Sequence, residues 1–207
     1  MEWMKYAVPV FCVVLGALLG ALFVPWIERT RSKTVDKMAA EKALAGFYTE
    51  MNDVQESAKR YIENLHHAYC QTVKLKHELI ARSEDFYPIF MPGTIKLLTY
   101  DWVIEKAFAA APENVRRAIR ALSPIVDAVN QRSALLHSIS DKEEFNEHDL
   151  KSLAGQIAIL YYISNRLSLE QGRFTYFDDT DEQIKINVFS ALSLAFDETT
   201  ALSKAAE

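Results

Sequence analysis

This sequence is poor in the residues that local enzymatic signatures are built from. It has six glycines and six prolines in 207 residues. No phosphate-cradling glycine loop, CxxC pair, HExxH or GxSxG occurs, so the enzyme classes marked by those motifs have no support. Two cysteines, Cys12 and Cys70, exclude a disulfide framework. Internal repeats and low-complexity tracts are also missing. Cationic surplus is lacking too. Residues 38–207 carry 18 Lys and Arg against 25 Asp and Glu, a balance of −7, which argues against a generic nucleic-acid binder. No cofactor, metal or small-molecule substrate is expected.

What is present is helix-forming sequence rich in Ala, Leu, Glu and Lys, which predicts an all-α fold. The stretch Ala7–Ile27 has no charged residue. About 20 apolar residues at 1.5 Å rise match a hydrocarbon core of roughly 30 Å, which predicts a transmembrane helix. It exceeds the about 7–15 residues of a signal-peptide core, which favours a retained anchor over a cleaved leader. Trp3, Tyr6 and Trp26 stand at its two ends, where interfacial aromatics are favoured. Lys5 alone precedes it, whereas Arg29, Arg31, Lys33 and Lys37 come after it. That asymmetry predicts a single-pass protein of the bacterial inner membrane with its C-terminal domain in the cytoplasm. Cys12, Gly16 and Gly20 recur every four residues and predict close helix packing in the bilayer. The expected organisation is residues 1–28 as anchor with a short tail, 29–37 as a basic juxtamembrane segment, and 38–207 as a cytoplasmic bundle of five to six helices.

Within 38–207, one long helix is predicted from Thr34 to about Arg82. Two apolar heptad rows run along it: Leu44, Met51, Ala58, Leu65, Thr72, Leu79 and Ala40, Phe47, Val54, Tyr61, Ala68, Leu75. The distal half is expected to pack within its own bundle. The proximal half has less to pack on and points to self-association into a homo-oligomer. The prolines and glycine of residues 83–93 predict a loop. Further helices are expected over Thr94–Ala110, from Pro112 to Leu122 with a kink or restart at Ser123-Pro124 and on to Ile139, from Asn146 to Gln171, and from Asp181 to Ser203. Asp141–Phe145 reads as a linker. Thr180-Asp181-Glu182-Gln183 has the capping-box pattern.

Several side-chain groups are chemical candidates. His66, Cys70 and His77 share a helix face, yet two ligands from one helix do not complete a metal site. Asp178, Asp179, Asp181 and Glu182 suit a helix N-terminus without any cation. Arg116, Arg117 and Arg120 form a basic patch that could meet an anion or RNA. Phe174, Tyr176 and Phe177 form an aromatic loop on which an adaptor could seat a protein partner.

The run Arg132-Ser133-Ala134-Leu135-Leu136-His137 resembles the Arg-x4-His motif of HEPN domains, helical bundles that usually cleave RNA without metal. The layout is similar to membrane-anchored HEPN-like accessory proteins of RNA-targeting CRISPR systems. That resemblance implies His137 as proton carrier at the ribose hydroxyl and Arg132 as the phosphate-stabilising cation. It also implies a role in antiviral defence and a site completed by a second protomer. Residues five apart on a straight helix diverge by about 140°. Taken together, the sequence predicts a non-enzymatic membrane-tethered effector, sensor or scaffold, with a membrane-anchored metal-independent ribonuclease and an adaptor as alternatives.

Overall fold

A computed structural model describes residues 4–77, 93–140, 146–176 and 178–203; the side chains at 4–20, 22, 25, 139, 140 and 203 lie outside that description. Six α-helices and a short 3-10 turn make up the described chain: α1 (Met4–Lys76), α2 (Tyr100–Lys106), α3 (Glu113–Ser140), α4 (Glu147–Glu170), the turn Gln171–Arg173, α5 (Asp181–Ala191) and α6 (Glu198–Ser203). The fold is all-α as the composition requires.

Its axis is the pairing of α1 with α4. α1 contributes Phe47, Met51, Ala58, Ile62 and Val73, each with no exposed surface. α4 contributes Leu150, Ala154, Ile157, Ala158 and Leu167 to the same core, all within 1 % of full burial. The heptad rows of α1 are thus satisfied inside the bundle. The last α4 residues give way to the turn at Gln171, which takes φ of 52°. The left-handed position therefore falls on Gln171 and not on Gly172, where a glycine stop would place it.

The transmembrane expectation is overturned. Among the described residues, no helix is long and apolar enough to cross a membrane. The charge-free run does not form a separate helix: it leads without a break into α1, a 73-residue helix. The part of that run with described side chains is short, and from Glu28 onward Arg29, Arg31, Lys33, Asp36 and Lys37 interrupt it. The packing stripe Cys12, Gly16 and Gly20 has its side chains outside the described residues. The predicted loop 83–92, the linker 141–145, Leu79 and Phe177 also lie outside them.

Every described side chain from Ala21 to Met38 is exposed, and burial begins at Ala40. The reason is visible one heptad back from the first core residues. Ala40, Ala43 and Leu44 are preceded by Lys33, Asp36 and Lys37. Charges at those positions cannot enter an apolar core without a large desolvation penalty, so the stem of α1 emerges there.

Residues 93–99 form an irregular strap, where the sequence predicts the start of a helix. Three side chains hold it. Asn130 of α3 accepts from the Ile95 N–H at 2.9 Å and donates to the Ile95 carbonyl at 2.8 Å. Glu50 of α1, 9 % exposed, accepts from the Thr99 N–H at 3.0 Å, from the Leu98 N–H and from the Thr99 hydroxyl. Tyr61 donates to the Gly93 carbonyl at 2.6 Å. These long-range bonds satisfy backbone groups that a helix would otherwise satisfy, and α2 shortens to seven residues.

α3 continues through Pro124 as one helix; of the kink or restart predicted there, the restart does not occur. The Thr180–Gln183 capping box forms as its sequence predicts, and Asn146 caps α4 by accepting from the His148 N–H at 2.9 Å. The predicted last helix instead breaks after Ala191: Ser193 takes φ of 55°, and Asp197 opens α6 by accepting from the Thr200 N–H at 2.7 Å. Ala191 is exposed, whereas Ile184 and Val188 are in the core as expected.

Candidate functional site

A concavity among the described residues lies between α3 and the first turn of α4. It has a volume of about 370 Å³ and is lined by Ala128, Gln131, Arg132, Leu135, Leu136 and Asp149. Positions 128, 131, 132 and 135 are spaced i, i+3, i+4 and i+7, so one helical face supplies most of the wall. Leu136 forms the buried base at 3 % exposure, and Leu135 forms an open wall at 59 %. Asp149 enters from α4, where a carboxylate in the first turn is favoured by the helix dipole. Arg132 Nη2 lies 3.6 Å from Asp149 Oδ1, with both side chains about one-third exposed. A pair this open contributes at most about 1 kcal/mol.

Of the two residues of the Arg-x4-His motif, Arg132 lines this pocket. His137 is exposed further along α3 and does not line it. The five-residue spacing separates them around one helix, as its geometry requires.

The three arginines of the basic patch are engaged by their own chain. Arg116 Nη1 donates to the Ala111 carbonyl at 2.7 Å. The Arg117 guanidinium sits 3.8 Å from the centre of the Tyr176 ring, and that of Arg120 sits 4.9 Å from the Phe108 ring. Stacked guanidinium groups keep their charge while their planar faces are covered. The aromatic loop is the other half of the same arrangement. Phe174 is 2 % exposed, and Tyr176 stands edge-on to it. Phe174 thus belongs to the core, and Tyr176 is half-buried beside it. Arg166 organises the loop's base through a two-point pair with Glu170 at 2.6 and 3.1 Å. That bonding holds the Glu170 carboxyl below the usual carboxylate range.

His66, Cys70 and His77 serve two different contacts. The His66 Nε2–H donates to the Ala195 carbonyl at 3.0 Å, with Cys70 Sγ 3.7 Å away and the Phe196 ring edge-on at 5.2 Å. Because a carbonyl only accepts, Nε2 carries the hydrogen. His77 Nε2 meets Glu198 Oε1 at 2.5 Å, and Lys76 Nζ lies 2.8 Å from Glu147 and 3.7 Å from Glu198. The His77 bond and the Lys76 charge hold the Glu198 carboxyl below its ordinary value. These residues tie the end of α1 to the elbow between α5 and α6 and to the start of α4. Among the described residues, no three His, Cys, Asp or Glu side chains are grouped to hold a metal ion. In the acidic cluster, Asp179 accepts from the Tyr162 hydroxyl at 2.8 Å, and Asp181 and Glu182 occupy the first turn of α5.

Sequence reasoning missed Asp149, Glu50 and Asn130. Asp149 is visible there only as a helix-start residue, and Glu50 and Asn130 carry no local signal because their partners lie 35 to 49 residues away. No protein-family model matches this chain, and no curated protein and no solved structure matches it. The likeness to HEPN domains consequently rests on the six residues from Arg132 to His137 and the helical architecture.

Proposed function

We propose that this protein is a non-enzymatic, self-associating helical scaffold, in which the bundle is the folded head and the stem of α1 is the assembly element. The observation that carries the reading is the exposed apolar surface of the stem. Phe23, Val24, Trp26, Ile27, Val35 and Met38 are each 54–64 % exposed. Val24, Ile27, Arg31, Val35 and Met38 share one face at i, i+3, i+7, i+11 and i+14, which is the seam pattern of helix association. That face lies opposite the one α1 gives to α4. Isolated helices owe little of their stability to propensity, and packing of an apolar face supplies most of it.

A second copy of the same stem is the occupant that the seam favours. Association along that face would cover Val24, Ile27, Val35 and Met38, each 54–64 % exposed. Arg31 in the middle of an apolar seam is the kind of residue that fixes register at some cost in affinity.

The test is the mass of the full chain by light scattering or sedimentation. The expected result is a discrete oligomer that falls to a monomer in an Ile27→Glu/Val35→Glu/Met38→Glu variant with its helical circular dichroism intact. A monomeric full chain would end the scaffold reading. The ribonuclease alternative predicts a different loss: His137→Ala would abolish cleavage of single-stranded RNA and leave the oligomer mass unchanged. An absence of cleavage in the unaltered chain removes that alternative.

A further inference from the structure

The pocket between α3 and α4 has an unusual charge requirement. It holds one cation, Arg132, and one anion, Asp149, across a gap of 3.6 Å, longer than a hydrogen bond. An anion alone would gain Arg132 and face Asp149 as a like charge. A cation alone would gain Asp149 and face Arg132. The two groups pair loosely with each other, and only a ligand with both signs close together could replace both partners in kind. The remaining lining is Ala128, Leu135 and Leu136, with the Gln131 amide at the rim. Leu135, at 59 % exposure, is an apolar wall that such a ligand would cover. The volume of about 370 Å³ falls in the range of small-molecule sites.

We infer that this pocket binds a small zwitterion with an apolar tail, of the class of the aliphatic α-amino acids. The ligand carboxylate takes the Arg132 guanidinium, in the planar geometry that group favours. The ligand ammonium takes the Asp149 carboxylate. The side chain lies along Leu135 and Leu136. Splitting the open ion pair costs little, because exposed pairs hold at most about 1 kcal/mol, and both charges regain a partner. The inference is independent of the scaffold reading: the pocket is built within one chain by α3 and α4, and the stem does not contribute to it.

Titration of the full chain with L-leucine, monitored by calorimetry and by amide chemical shifts, tests the assignment. The expected result is saturable binding with shifts centred on residues 128–136 and 147–150. N-acetyl-L-leucine lacks the ammonium and L-leucinamide lacks the carboxylate; each is expected to bind at least tenfold more weakly. Arg132→Gln and Asp149→Asn, with unchanged circular dichroism, are expected to lose binding to the same degree. Equal binding of N-acetyl-L-leucine and L-leucine would overturn the zwitterion assignment. Failure of L-leucine to saturate, or shifts centred elsewhere on the chain, would overturn the site.

Discussion

The two parts of α1 are one helix with opposite surroundings. From Ala40 to Val73 its inward face is sealed in the bundle, and Phe47, Met51, Ala58 and Ile62 have no exposed surface. From Ala21 to Met38 every described side chain is open, although Phe23, Val24, Trp26 and Ile27 are as apolar as anything in the core. Hydrophobicity therefore does not decide which half is buried. What differs is the residue at the positions that would face the bundle: Ala40, Ala43 and Leu44 on one side of the boundary, Lys33, Asp36 and Lys37 on the other. The seam ends where a charge would have to be desolvated. Val24, Ile27, Val35 and Met38 lie on the opposite face of the stem and are open to meet another helix.

Truncating one phenylalanine in each half gives the largest test of this contrast. Phe47→Ala leaves a cavity in the core of the bundle and is expected to cost about 3–5 kcal/mol. Phe23→Ala removes an exposed ring and should change the stability of the isolated head by less than about 0.5 kcal/mol. Urea denaturation at low protein concentration measures both, with association suppressed. Similar losses from the two variants would mean that the halves of α1 are not energetically distinct.

A smaller effect is expected inside the core half, where α1 meets the strap. Glu50 is the one charged residue that the core half of α1 draws in, and it is tolerated because three donors of the strap satisfy it. Glu50→Ala leaves the Leu98 and Thr99 N–H groups without their acceptor, for an expected loss of about 1–3 kcal/mol. The strap amides should lose protection from hydrogen exchange in this variant, and those of α4 should not. Uniform loss across the bundle would show that Glu50 supports the whole core and not the strap alone.

The helical class, the Asn146 cap, the Thr180–Gln183 box and the heptad rows are legible in the sequence because each is set by residues within a turn or two of one another. The strap is not. Residues 94–99 read as helix locally, and Asn130 and Glu50 override that preference from 35 to 49 residues away. The break at Ser193 has no glycine or proline to announce it. The apolar run before Glu28 reads as a membrane span from its own composition. Its place at the head of a 73-residue helix depends on the charged, helix-forming residues beyond Glu28. For the pocket, Arg132 is visible through a motif, but its partner is not. Asp149 gains meaning only when α4 packs on α3.

Gly46 gives the smallest and sharpest test of where the core half begins. It lies six residues inside the buried segment, in a helix interior, where glycine costs about 0.5–1 kcal/mol relative to alanine. Its φ is not in the left-handed region, so no backbone need keeps glycine there. A Cβ at this position would meet Trp102 Cζ3 at 3.6 Å and Thr99 Cγ2 at 4.0 Å, ordinary contacts on the α2 side. Gly46→Ala should therefore stabilise the head, raising its melting temperature by about 1–4 °C for a domain of this size. The same substitution should leave the oligomer mass unaltered, because position 46 faces α2 and not the open stripe of the stem. If the mass changes while the melting temperature does not, the assembly surface reaches past Ala40, and the division of α1 into a packed half and an open half lies in the wrong place.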